Sequence, residues 1–275
     1  MIRVLGSGSL KKRRVILRAD FNVPMAKGLV LDDHRIRRVL PTIRTLLRGG
    51  NSVVILSHHS DPRKTLAPVA RYLSKELGRP VIFLKHPFGK GAGVKKAKLF
   101  LVENLRRWPG EKSCSRSYAA ALARLGDSYV NEAFGVAHRA DSSLTILPQI
   151  LPSFLGPLFK SELEALDRIL QKPRRPLVAI IGGAKIGTKL KLLRRLSVLS
   201  DHLLLGGATA NAVLRAKGFR VWLAGEDVRF VKEAGALAKN RSVLLPKDLV
   251  AKRGQRLEAV SVKDLRGEQA VDIGP

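Results

Sequence analysis

Short apolar runs alternate along the chain with amphipathic stretches of helical period. RVILRA (14–19) reads as a strand. RIRRVLPTIRTLL (35–47) places Ile36, Val39, Leu40, Ile43, Leu46 and Leu47 on one stripe, the spacing of a helix with a single apolar face. Pro41 within it suits a helix start or a kink better than an undisturbed interior. SVVILS (52–57) predicts the next strand, and LAPVARYLSKELG (66–78) a helix closed by a glycine cap. PVIFLK (80–85), KLFLVE (98–103) and DSYVNE (127–132) read as strands, with a helix over YAAALARLG (118–126). The strands are nearly continuous apolar runs, as required when helices cover both faces of a parallel sheet.

At PQILPSFLGP (148–157) three prolines and a glycine mark a boundary. SELEALDRILQ (161–171) then reads as a helix opened by Ser161, with Glu164 at the capping-box offset. After KPRRP a second alternating region supplies strands LVAII (177–181), HLLLG (202–206) and SVLLP (242–246). The expected architecture is α/β: two doubly wound parallel-sheet, Rossmann-like domains joined by a hinge helix, the second incomplete. The divisions fall at 1–157, 158–176 and 177–275. Such sheets bind ligands outside the carboxyl ends of their strands.

Composition changes this picture in one respect. Of 275 residues, 51 are Lys or Arg against 22 Asp or Glu, a net charge of +29. Such a surface attracts anions broadly, nucleic acid included. The basic residues are dispersed rather than gathered into an arm, so any nucleic-acid affinity is expected to be non-specific. A single cysteine, Cys114, excludes an internal disulfide and fits a reducing compartment. No apolar run is long enough to span a bilayer, and no membrane partner is expected. Together these point to a cytoplasmic protein, expected to be a monomer.

Polar residues cluster where strands end: RADFNVP, SHHSDPR, VENLRR and YVNEAFGVAHRA. Arginine suits planar contacts to carboxylate or phosphate, so Arg35, Arg106 and Arg139 with His58 could converge on one small anion. In so basic a chain, a solvated or structural role is an equally good reading of any single arginine. LVAIIGGAKIGTKLKLL (177–193) runs from a strand through Gly182-Gly183 toward a helix carrying Lys185 and Lys189. Their spacing places both lysines on one helix face, equally that of a solvated basic helix. It is not a P-loop.

Taken in order, RADFNVP, DDHRI with LPTI, SHHSDPR, ENLR, YVNEAFGVAHRA, GGAKIGTK, LLLGGA and DIGP closely resemble the motifs of phosphoglycerate kinases over nearly the whole chain. The resemblance implies reversible phosphoryl transfer between ATP and 3-phosphoglycerate, giving ADP and 1,3-bisphosphoglycerate, with Mg²⁺ as the nucleotide's companion. Asp20 and Asn22 would hold the glycerate end, Asp20 alternatively fixing a neighbouring arginine. Arg35 would pair with the carboxylate and then the transferring group. His58, Arg106 and Arg139 would bind the other phosphate. Gly182, Gly183, Gly206 and Gly207 would face the nucleotide, Lys185 the transferring phosphoryl group and Lys189 the nucleotide phosphates. No protein metal ligand is implied.

Two departures stand out. Asp61 occupies the place of a phosphate-facing arginine, with Arg63 two positions along, and Ala208 replaces a third glycine. The family's second domain also continues beyond DIGP, where strands, nucleotide contacts and a Mg²⁺-associated aspartate normally follow. Three readings follow: a portion of a normal kinase, completed by further chain or a second polypeptide; a degenerate kinase that binds phosphoglycerate without turnover; or a basic scaffold or nucleic-acid binder.

Overall fold

The computed structural model describes residues 3–6, 8, 10–87, 98–171, 173–183, 185–253 and 255–273. Ala184 of the GGAK run and Gly274-Pro275 of DIGP lie outside them. The chain divides into two compact units, Met1–Leu166 and Asp167–Pro275. The division falls inside the segment expected to join two domains.

The first unit runs β1 (Arg14–Arg18), a small hairpin of β2 (Met25–Ala26) and β3 (Leu29–Val30), α1 (His34–Arg48), β4 (Ser52–Leu56), α2 (Ala67–Leu77), β5 (Ile82–Leu84) and β6 (Leu99–Val102). It continues through α3 (Pro109–Lys112), α4 (Arg116–Ala123), β7 (Ser128–Asn131), α5 (Ser142–Thr145), α6 (Leu147–Ile150), β8 (Ser153–Leu155) and into α7 (Pro157–Gln171). Six strands form one parallel sheet in the order β5-β6-β4-β1-β7-β8. The two-residue period of a strand sends alternate side chains into two cores. Val15, Leu17, Val53, Ile55, Leu99 and Leu101 pack under α1 and α2. Ile16, Val54, Leu56, Phe100 and Val102 pack on the other face against Tyr118, Leu122 and Leu147.

The predicted stripe of α1 is buried at Ile36, Val39, Leu40, Ile43 and Leu46. Pro41 lies inside that helix, not at its start. It lies on the exposed face. Gly78 closes α2 in the left-handed conformation, φ 60°. PQILPSFLGP builds α6 and the edge strand β8, which pairs with β7. One expectation is corrected here: Ser161 opens no helix, because α7 begins four residues earlier at Pro157. Its first turn is capped from a distance. The buried carboxylate of Glu132 accepts from Phe159 N at 2.8 Å and Leu158 N at 3.4 Å. Local pattern cannot reveal a cap supplied from 26 residues away.

The second unit contains β9 (Val178–Ile181), α8 (Leu190–Leu199), β10 (His202–Leu205), α9 (Gly207–Ala216), α10 (Gly225–Val228), α11 (Val231–Ala238) and β11 (Val243–Leu244). The three strands form a parallel sheet in the order β11-β10-β9. One face is packed: Ala179, Ile181, Leu203, Leu205 and Val243 meet Leu193, Ala210, Val213, Ala234 and Leu237. The other face leaves Val178, Ile180 and Leu244 exposed, Ile180 at 75%. A second sheet was not anticipated. β12 (Asp248–Arg253), β13 (Arg256–Ser261) and β14 (Gln269–Ile273) are antiparallel, in the order β13-β12-β14. Leu249, Ala251 and Val260 bury against Leu214 and Val221.

Candidate functional site

In the first unit the carboxyl ends of β1, β4, β6 and β7 lie side by side, because all four strands are parallel neighbours. The loops leaving them carry Asp20 and Asn22, His58, Arg106, and Glu132 with the turn to Arg139. The polar backbone of these loops is held by side chains. Ser57 Oγ accepts from Phe21 N and donates to the Ala19 carbonyl, both at 2.9 Å, joining the first two loops. Asn104 accepts from His59 N and Arg106 N and donates to the carbonyls of Asp61 and Lys64. Asn22 Oδ1 receives Ser60 N at 2.9 Å, so Asn22 shapes the His58 loop.

Asp20 and Arg35 meet at 2.8 Å. The same aspartate lies 3.8 Å from His58 Nε2 through its other oxygen. Asp20 thus fixes a neighbouring arginine, the alternative open from sequence. Beside it a cleft of about 280 Å³ is lined by Asp20, His34, Arg35, Arg38, Glu132 and Phe134 among others.

His58 is 1% exposed. Burial, then the charges of Arg18, Arg106, Arg139 and Arg35, push its pKa down to about 2. The ring is neutral at working pH, and the charges of these four arginines act on it. Arg106 is 9% exposed, and its Nε and Nη2 have no hydrogen-bond partner among the described residues; His58 Nε2 has none either. Burial and the charge of Arg139 lower the proton affinity of Arg106 from its ordinary value. A buried cation with unpaired donors, surrounded by further cations, is costly unless an anion completes it. The geometry therefore describes a phosphate or carboxylate site.

The substituted loop position resolves locally. Arg63 grips Asp61 through Nε and Nη2, both at 3.2 Å, and through its backbone N at 2.9 Å. The charge of Asp61 is offset by its neighbour, and Arg63 holds its pKa below the ordinary carboxylate value.

In the second unit β9 and β10 end together, with Ile181 beside Leu205. Gly182-Gly183 and Gly206-Gly207 follow directly, and the two turns abut. A Cβ on Gly207, at φ +57°, would lie 3.3 Å from Gly183 backbone atoms. Gly183 has φ +125°, and a Cβ there would lie 2.1 Å from Lys189 Nζ. The lysine ammonium thus rests on the glycine turn, where any side chain would displace it. One expectation is corrected: Lys185 and Lys189 do not share a helix face. α8 starts at Leu190, and Lys185 sits in the turn before it. Ile186 N donates to buried Asp227 at 3.2 Å and Gly187 passes close against Phe230, anchoring an irregular turn.

Among the described residues no group of three His, Cys, Asp or Glu side chains is placed to hold a metal ion, and no helix is long and apolar enough to cross a membrane. Of the supporting residues, Arg18 opens the strand-end motif RADFNVP, whereas Glu103, Asn104, Glu111, Glu132 and Ser143 were not individually singled out from the sequence.

The first unit thus presents a basic cluster with unpaired buried donors, and the second a glycine-lined lysine turn. The phosphoglycerate kinase family model matches residues 5–275. A phosphoglycerate kinase of Methylorubrum extorquens is 41% identical over 269 residues, covering 92% of this chain and 67% of that protein. One of Rubrobacter xylanophilus is 40% identical, covering 97% and 72%. The solved phosphoglycerate kinase of Coxiella burnetii superposes with a TM-score of 0.81 at 34% identity, covering 99% of this chain and 75% of that one. That of Pyrococcus horikoshii gives 0.85 at 29%, covering 100% and 75%. The chain belongs to the phosphoglycerate kinase family. It spans about two thirds to three quarters of the length of these relatives.

Proposed function

We propose that the chain takes part in the reversible transfer of a phosphoryl group between ATP and the carboxylate of 3-phosphoglycerate, forming ADP and 1,3-bisphosphoglycerate, a step of glycolysis. The observation that carries the substrate assignment is Arg106: a buried guanidinium with two unpaired nitrogens beside the unpaired Nε2 of His58. His58, Arg106 and Arg139 bind the phosphate that is not transferred. Asp20 and Asn22 order the glycerate end. Arg35, held by Asp20 in the free protein, turns to the carboxylate and the transferring group.

Gly182, Gly183, Gly206 and Gly207 allow the nucleotide's phosphates close to the backbone, with Lys185 and Lys189 supplying charge. Such a transfer needs positioning and charge neutralisation more than a base, since the attacking carboxylate is already ionised. Mg²⁺ belongs with the phosphates of the nucleotide and supplies further neutralisation there. A cytoplasmic location is the compartment this chemistry and the single cysteine fit.

Calorimetric titration of 3-phosphoglycerate and of Mg-ADP into the chain at two salt concentrations, with a coupled ATP-consumption assay, tests the reading. Binding of both ligands with turnover supports it in full. Phosphoglycerate binding abolished by Arg35→Ala, but without turnover, restricts the function to substrate binding. Binding of neither ligand refutes it.

A further inference from the structure

We infer that Arg18, which no ligand can reach, is a positioning residue that sets the tautomer of His58 and so holds a proton on Nε2, facing the bound phosphate. The inference rests on the reading of His58 as a phosphate ligand and assigns that ligand's protonation to a residue outside the site.

Arg18 closes an apolar strand and is 0% exposed. Each part of its guanidinium is engaged. Nη1 donates to the Ala19 carbonyl at 2.6 Å and Nε to Ser143 Oγ at 2.9 Å, while Nη2 lies 3.2 Å from His58 Nδ1. Arginine carries donors and no acceptor, so a contact at that distance requires Nδ1 to be the acceptor. A neutral imidazole accepting at Nδ1 carries its hydrogen on Nε2. Nε2 is the ring nitrogen on the side of Asp20, and it makes no hydrogen bond among the described residues. Asp20 does not claim that proton: at 3.8 Å it is beyond hydrogen-bond reach and is already held by Arg35 and by Asn22 N. The opposite tautomer would set an N–H against the donors of Arg18.

The arginine is itself held from behind. Ser143 Oγ accepts from Arg18 and donates to Glu111 Oε1 at 2.5 Å; Ser143 N donates to Glu111 Oε2 at 3.1 Å. Glu111 Oε1 lies 3.9 Å from Arg18 Nη2 and supplies the opposing charge, both side chains being fully buried. Tyr129 OH closes the assembly on the Ser143 carbonyl at 2.8 Å. Burial raises the pKa of Glu111 and the charge of Arg18 opposes it. Arg18 is therefore the common donor of two arms, one running through Ser143 to the Glu111 carboxylate and the other ending on His58 Nδ1. The groups facing the imidazole are Arg18, Asp20, Arg35, Arg106 and Arg139. Four of the five are cations, so burial and their charges together outweigh Asp20 and oppose a second proton on the ring.

The test is long-range ¹H–¹⁵N correlation spectroscopy on the uniformly ¹⁵N-labelled full chain, with His58 assigned by its loss in His58→Gln. The expected signature is an Nε2–H tautomer unchanged between about pH 5 and pH 8. In Arg18→Met the ring is expected to show mixed tautomers. Its affinity for 3-phosphoglycerate should fall about tenfold, the loss typical of one hydrogen bond to a charged group. An Nδ1–H tautomer or an imidazolium in the native chain overturns the inference even if Arg18→Met does not fold. So does a folded Arg18→Met in which the Nε2–H tautomer persists alone. Unchanged 3-phosphoglycerate affinity in His58→Gln would instead defeat the assignment of His58 as a ligand. The two failures are thereby distinguished.

Discussion

Replacing Glu132 by alanine strips the first turn of α7 of its acceptor. Three donors converge on that carboxylate: Phe159 N at 2.8 Å, Leu158 N and the Thr42 hydroxyl of α1. Loss of an N-terminal cap costs about 1–2 kcal/mol. The carboxylate also sits at the positive end of a helix, worth about 0.3–1 kcal/mol. The cleft beside it admits water that re-satisfies part of what is lost. A net destabilisation of about 2 kcal/mol is therefore expected for the first unit, a fall in Tm of roughly 4–8 °C for a domain of this size. Trp108 belongs to that unit, so its fluorescence in a Trp222→Phe background follows the transition in the whole chain.

Glu132→Gln separates the cap from the charge. Burial raises the pKa of Glu132 above the ordinary carboxylate value, against the hydrogen bonds that lower it. A carboxyl raised on folding contributes stability that is present at low pH and lost as pH climbs through the folded pKa. The advantage of Glu132 over Gln should therefore shrink as pH rises above the ordinary carboxylate range. A Glu132→Ala transition within about 1 °C of the parent, or an advantage over Gln that grows with pH, would refute the assignment of this carboxylate as a buried helix cap.

Arg106→Ala should weaken 3-phosphoglycerate by about 10- to 100-fold in calorimetry, the range for hydrogen bonds to a charged group, and leave Mg-ADP affinity unchanged. Gly183→Ala should do the reverse, since its methyl would occupy the place of the Lys189 ammonium; equal loss of both ligands would count against separate sites. His58, whose pKa is pushed down to about 2, takes up a proton on unfolding at acid pH. Below about pH 6.5 the parent should lose up to roughly 1.4 kcal/mol per pH unit relative to His58→Gln, and parallel urea-denaturation profiles would contradict this. Asp61→Asn releases Arg63, so anion affinity should rise at low salt and return to the parent value at high salt, where exposed charges are screened.

The strands and long helices of the first unit were legible because each carries a plain signature: continuous apolar runs in β1, β4 and β6, buried on both faces, and a stripe over α1. The ordered motifs likewise identified the family and the chemistry. What they missed was decided by contacts between distant segments. Glu132 caps α7 from another strand end, so the helix start was misread from local composition. The lysine turn of the second unit stays irregular because Asp227 and Phe230 hold it, although its spacing looks helical. The antiparallel sheet of β12 to β14 buries against Leu214 and Val221, while β13 is exposed along most of its length and shows no alternation to read. Sequence by itself determined which residues are available to grip an anion, because residue type and order along parallel strands put them at one sheet end. Only the tertiary structure decided which remain unpaired and which are held. Burial and hydrogen-bond partners are properties of the packed neighbourhood, and they separate Arg106, open to a ligand, from Arg18, closed in the core.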